Sequence, residues 1–94
     1  MAIPQLLRDL LTTPGPSGYE TAPAAVWREA AAAFAEVSSD PLGSSVARVA
    51  GTSEGPSLAV LGHIDEIGLM ITHVDDDGFA SVLIIRPKIG RAHV

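Results

Sequence analysis

The chain has 94 residues, a formal net charge of −5 and no cysteine, and 47% of its residues are hydrophobic. This length allows one small domain, and the acidic balance argues against a nucleic-acid partner or an anionic membrane surface. The lack of cysteine excludes disulfide bonds and thiolate metal sites, so any metal would need histidine and carboxylate ligands. We expect a cytoplasmic protein, because the sequence shows neither a signal-peptide pattern nor an apolar stretch long enough to span a membrane.

The first predicted element is an amphipathic helix. Apolar residues recur with helical spacing over residues 3–11, and Pro4 suits the first turn. A Pro-Gly-Pro run at 14–16 ends the pattern.

A second helix is predicted to follow. Ser17 and Glu20 have the spacing of a capping box, but Pro23 would then fall beyond the first turn and remove a needed donor. We therefore expect the regular helix to begin nearer Tyr19 or Glu20. Its buried face is predicted to consist of Val26, Trp27, Ala30, Ala31 and Phe34.

The rest of the sequence predicts short strands separated by turn residues. The predicted strands are residues 36–40, 45–50, 57–61, 67–74 and 79–85, with turns at 40–43 and 75–78. The Asp-Asp-Asp-Gly run at 75–78 is typical of a hairpin turn, because it lacks the spaced ligands and terminal glutamate of a calcium loop. Helices that precede strands predict an α/β fold in which two leading helices pack on a mixed sheet.

Ionisable residues follow directly after the apolar run at 57–61. His63 and Asp65 are two apart, so on an extended backbone they point to one face, whereas Glu66 points to the other. Either both bind a metal ion, or His63 binds it and Asp65 orients the ring. By itself a His-x-Asp motif is equally typical of a solvated turn. We expect His73 to be a polar strand residue rather than a ligand.

Several motifs in the same order resemble the glutamyl aminopeptidase and tetrahedral aminopeptidase family of dinuclear metallopeptidases. The strongest match is Leu-Gly-His-Ile-Asp-Glu-Ile-Gly-Leu-Met at 61–70. The other matching segments are residues 6–10, 14–20 and 40–43, and the Asp-rich turn of 74–79. The resemblance covers roughly residues 3–82, which would be only the N-terminal part of a family member.

The resemblance implies a metal-dependent aminopeptidase. His63 would be the first metal ligand, and Asp65 the catalytic-site acid that orients it. Two divalent ions, zinc or cobalt, would activate the water that attacks a peptide carbonyl. The substrates would be peptides, and the full-length enzyme would be a homo-oligomer. The general base and the remaining ligands would lie C-terminal to this chain, so Glu66 is not expected to be the base.

The resemblance also implies a division of the chain. Residues 1–68 would begin a zinc-peptidase-like catalytic domain, and residues 69–94 would begin an inserted β-rich domain. The family pattern is lost after about Val82. One reverse translation of residues 89–94 lies within a widely used sequencing adapter, so we expect a tail read through from adapter DNA. A fragment that holds one histidine and one acid of such a centre is expected to be inactive.

Two alternatives stay open. Some relatives on the same fold carry endoglucanase labels, but a glycosidase needs two carboxylates that flank a sugar bond, and Asp65 and Glu66 are expected on opposite faces. The second alternative is a small non-enzymatic binding domain in which His63 is incidental.

Overall fold

The computed structural model describes residues 2–85, and the chain forms two helices followed by two β-hairpins. In chain order the elements are α1 (Gln5–Thr12), α2 (Thr21–Ala31), β1 (Glu36–Ser39), β2 (Ser45–Arg48), β3 (Gly68–Val74) and β4 (Ala80–Ile85). The expected tail at 89–94, with His93, lies outside the described residues. None of the helices in the described part is long and apolar enough to cross a membrane.

Helix α1 forms where the apolar spacing predicted it. Pro4 precedes the helix with an extended backbone, and its carbonyl accepts the first helical hydrogen bond from the Arg8 amide at 3.1 Å. The helix ends at Thr12 because Thr13, which stands before Pro14, is extended (φ −90°, ψ 120°). No residue of α1 is buried, so its apolar face is only partly covered.

Helix α2 begins at Thr21, which removes the difficulty that Pro23 posed. Pro23 lies in the first turn, where a backbone N–H would have no partner within the helix. The expected capping box is wrong. The Glu20 carboxylate accepts a hydrogen bond from the Gly18 amide at 2.7 Å instead of reaching back to Ser17.

The first hairpin confirms the turn predicted at 40–43. β1 and β2 pair antiparallel, with Val37 opposite Ala47. The Asp40 carboxylate accepts a hydrogen bond from the Ser44 amide at 2.9 Å, and Gly43 adopts the left-handed conformation (φ 95°) that glycine favours. This hairpin lies against α2, whose Arg28 donates a hydrogen bond to the Ser45 hydroxyl at 2.9 Å.

The second hairpin confirms the strands predicted at 67–74 and 79–85 to within one residue. β3 and β4 pair antiparallel from Gly68 opposite Ile85 to Val74 opposite Ala80, with an irregularity between Ile71 and His73. Within residues 2–85 this hairpin packs against no helix and against neither strand of the first hairpin.

The strand predicted at 57–61 and the single mixed sheet are not formed by the described residues. Residues 57–61 have no regular secondary structure, and Leu58, Val60 and Leu61 are 87–91% exposed. A strand requires a neighbour that satisfies its backbone groups, and the four strands present are already paired as two separate hairpins. The α/β class is confirmed, with two small antiparallel sheets in place of a mixed one.

The buried core is confined to α2 and the loop before it. Pro23, Ala24 and Ala31 are buried, but Phe34 lies beyond the end of α2 and is 71% exposed, so its predicted place in the core is wrong. The accessible surface of the chain is 8469 Å² at a mass of 9.7 kDa. A compact protein of that mass exposes roughly 5,100 Å². Most of the large apolar side chains are therefore uncovered.

Candidate functional site

The two residues that the sequence singled out are in direct contact. His63 Nδ1 lies 2.8 Å from Asp65 Oδ1, and the side chains are 81% and 13% exposed, respectively. A carboxylate only accepts hydrogen bonds, so the proton belongs on Nδ1 and the lone pair on Nε2. The pair thus fixes one tautomer of a solvent-facing imidazole, and that tautomer offers Nε2 as a ligand.

Glu66, immediately after this pair, is bound to the segment that joins the two helices. Its amide donates to the Gly15 carbonyl at 3.0 Å, and its carbonyl accepts from the Ser17 amide at 3.2 Å. Its carboxylate also accepts a hydrogen bond from the Gly15 amide at 3.1 Å. These contacts form a short parallel bridge between Pro16 and Glu66, which we call the Glu66 bridge.

Two glycines allow the Glu66 bridge to pack closely. A Cβ on Gly68 would lie 2.5 Å from the Pro16 Cβ, and a Cβ on the buried Gly15 would overlap the ring of Pro23. Both distances are shorter than carbon atoms tolerate, so only glycine fits either position without movement. Alternating glycine and proline thus bring the end of α1, the start of α2 and the start of β3 together beside His63.

The chemistry of the donor set suits a divalent metal ion at one position. A neutral imidazole whose other nitrogen is bound to a carboxylate is a common zinc and cobalt ligand arrangement. Within residues 2–85 no three histidine, aspartate or glutamate side chains lie close enough together to hold a metal ion. The described residues therefore supply one ligand and its supporting acid, and a metal centre requires further ligands from elsewhere.

The other ionisable residues considered from the sequence lie apart from this pair. His73 is an exposed residue of β3, opposite Ser81 on the neighbouring strand. Asp75 closes the second hairpin, because its carboxylate accepts hydrogen bonds from the Asp77 and Phe79 amides at 3.0 and 2.9 Å. That arrangement is a hairpin turn, as the sequence predicted.

Sequence reasoning missed the role of Glu66 and of the Pro-Gly-Pro run. Glu66 was expected to be a neighbour, a cap or a solvated acid, and residues 14–18 only a connector. A signal was present, since a short Gly-Pro segment and a Gly two residues after Glu66 are typical of close backbone approach. The partner, 51 residues away, could not be read from local pattern.

Comparison with known proteins supports the resemblance found in the motifs. Residues 43–86 match the profile of the family described as M42 glutamyl aminopeptidase. A putative aminopeptidase, FrvX, of Escherichia coli K12 is 52% identical over 44 residues, which are 47% of this chain and 12% of that protein. A lysyl aminopeptidase of Pyrococcus furiosus is 34% identical over 86 residues, which are 86% of this chain and 23% of that protein. The chain thus spans less than a quarter of the length of either relative.

Proposed function

We propose that this chain, which belongs to the M42 glutamyl aminopeptidase family, is part of a metal-dependent aminopeptidase and supplies one metal ligand and its orienting acid. The contact between His63 and Asp65 carries the proposal, because it leaves Nε2 of an exposed ring ready to bind a cation. The matched relatives, one named as a putative aminopeptidase and the other as a lysyl aminopeptidase, support the choice of reaction.

In the proposed reaction the residues of this chain bind and orient. His63 would bind one of two zinc or cobalt ions through Nε2, while Asp65 would hold the proton on Nδ1 and keep the ring from turning. When bound, such a pair of ions supplies an activated water and polarises the scissile carbonyl of a peptide. We place the general base and the other ligands outside residues 2–85. A zinc-peptidase-like catalytic domain that starts at 1–68, a homo-oligomeric enzyme and a cytoplasmic location are part of the same proposal.

Glu66 is not assigned the part of general base. A base must reach the proton that it removes, and the Glu66 carboxylate is bound to the Gly15 amide. The same contact argues against the endoglucanase alternative. Asp65 is bound to His63 and Glu66 to Gly15, so neither carboxylate is free to flank a sugar bond.

The test is a zinc or cobalt titration of the complete polypeptide that carries these residues. We expect stoichiometric binding and hydrolysis of aminoacyl substrates, and we expect His63→Ala to lose both the bound ion and the activity. His73→Ala is the matched control, because His73 is an exposed histidine of β3 with no side-chain hydrogen bond in the described part of the chain. Metal-independent behaviour, or equal loss in both variants, would refute the proposal and favour the binding-domain alternative.

A further inference from the structure

Glu66 holds together two parts of the chain that nothing else joins by hydrogen bonds. Its three hydrogen bonds go to Gly15 and Ser17, on either side of Pro16. In the part of the chain that the structure describes, no other hydrogen bond connects residues 49–85 with residues 2–48. The position of the second hairpin relative to the helices therefore depends on this one residue and on the Gly68–Pro16 contact.

The residue so held is the immediate neighbour of Asp65. Asp65 is only 13% exposed, whereas the His63 ring that it contacts is 81% exposed. The segment from 51 to 64 makes no hydrogen bond to the helices, so it gives the His63 ring no support of its own. Whatever fixes the backbone at Glu66 also fixes the carboxylate that orients the ring.

We propose that Glu66 is a positioning residue for His63: the bond from its carboxylate to the Gly15 amide fixes the backbone at 65–66, and thereby the tautomer and direction of the imidazole. The claim rests on the proposed function for the purpose of that imidazole, whereas the positioning itself is a property of the metal-free chain. Reach is what matters, because Oε1 lies 3.1 Å from the Gly15 nitrogen. An acceptor of equal length should serve, and a shorter side chain should not.

The experiment uses the metal-free chain of 94 residues labelled with ¹⁵N. Long-range ¹H–¹⁵N spectra report the tautomer of His63, and hydrogen exchange reports the Gly15 amide. Glu66→Gln keeps the length and an acceptor oxygen but removes the charge. Glu66→Asp keeps the charge but shortens the side chain by one methylene. The same two substitutions at Glu54, an exposed residue with no side-chain hydrogen bond in the described part, are the matched controls.

For Glu66→Asp we expect exchange at Gly15 to rise roughly threefold to tenfold, the range for loss of one hydrogen bond, and the Nδ1–H form of His63 to fall. Glu66→Gln and both Glu54 variants should stay close to the parent chain. Amides of β3 and β4 report whether the hairpin is still formed, and they should be unchanged throughout.

Three results would overturn the proposal. An unprotected Gly15 amide in the parent chain would show that the bond is not formed in solution. A freed Gly15 amide with an unchanged His63 tautomer would show that the bond is structural only. Loss in Glu66→Gln equal to that in Glu66→Asp would show that charge matters and length does not. Failure of the metal titration described above would refute the aminopeptidase proposal and leave these three readings as they stand.

Discussion

Gly68 and Pro16 are in closer contact than any side chain at position 68 would allow, since a Cβ there would lie 2.5 Å from the proline Cβ. The proline ring is rigid, so it cannot turn aside as a flexible side chain would. This contact joins the first residue of β3 to the segment that links α1 with α2. It is the packing counterpart of the three hydrogen bonds made by Glu66.

Replacing Gly68 by alanine should therefore destabilise the folded chain. We expect a loss of roughly 1–3 kcal/mol in the free energy of unfolding, the usual cost of forcing an extra methyl group into a close contact. Urea denaturation followed by circular dichroism measures it. Gly55→Ala is the control, because a Cβ there meets no atom within 4 Å. Equal midpoints for the two variants would show that the Gly68–Pro16 contact does not form in solution.

Asp65→Asn should change which nitrogen of His63 carries the proton. A carboxylate only accepts, whereas an amide can donate to Nδ1 and leave the proton on Nε2, the nitrogen that would bind metal. We expect a smaller Nδ1–H population by NMR, and roughly 10–100-fold weaker zinc binding in the complete polypeptide. Asp76→Asn makes the same charge change in the exposed turn of the second hairpin. If both variants keep the parent tautomer, Asp65 does not orient the ring.

Asp75→Ala should loosen the second hairpin. The Asp75 carboxylate accepts hydrogen bonds from the Asp77 and Phe79 amides, and no other side chain in the described residues replaces it. We expect a loss of roughly 1 kcal/mol, seen as faster hydrogen exchange along β3 and β4. The neighbouring Asp76→Ala should have little effect, since Asp76 makes no side-chain hydrogen bond in that part of the chain. Indistinguishable exchange in the two variants would contradict this account of the turn.

The apolar run at 57–61 should promote self-association. Leu58 and Val60 are 89% and 91% exposed and belong to a short uncharged segment, which is a pattern that pairs readily with other chains. We expect Val60→Lys to raise the concentration at which the chain remains monomeric by sedimentation. Ser57→Lys adds the same charge to the same segment but removes no apolar side chain. Equal improvement from both would mean that net charge, not the apolar run, controls association.

The chain of 94 residues should neither hydrolyse chromogenic aminoacyl substrates nor bind zinc tightly. Zinc sites need three or four ligands, and residues 2–85 bring only His63, supported by Asp65, to the candidate site. Turnover measured with added zinc or cobalt, beside an active aminopeptidase as positive control, decides the matter. Detectable hydrolysis that His63→Ala abolishes would show that the chain is sufficient by itself.

Local structure was predictable because local contacts determine it. The spacing of the leucines placed α1, and the turn at Asp40–Gly43 placed the first hairpin. Asp75 and Gly78 placed the second hairpin, since a side-chain acceptor and a left-handed residue are what such a turn requires. The contact between His63 and Asp65 spans two residues and follows from alternation along the backbone.

What the sequence could not show depends on partners distant in the chain. The run at 57–61 has the composition of a strand, but strand formation requires a neighbour, and none of the described strands pairs with it. Phe34 has the spacing of a core residue on α2, yet the helix ends at Ala31 and leaves it exposed. Glu66 looked like one acid among several until Gly15 was found beside it.

The Glu66 bridge also has a consequence for the order of folding. Each hairpin closes a loop of only a few residues, whereas Glu66 and Gly15 are 51 residues apart. Because closing a long loop costs more entropy than closing a short one, the helices and hairpins should assemble first and this junction last. Maturation of the imidazole environment would then be the final event on the folding pathway, and the first to be undone when the chain is heated.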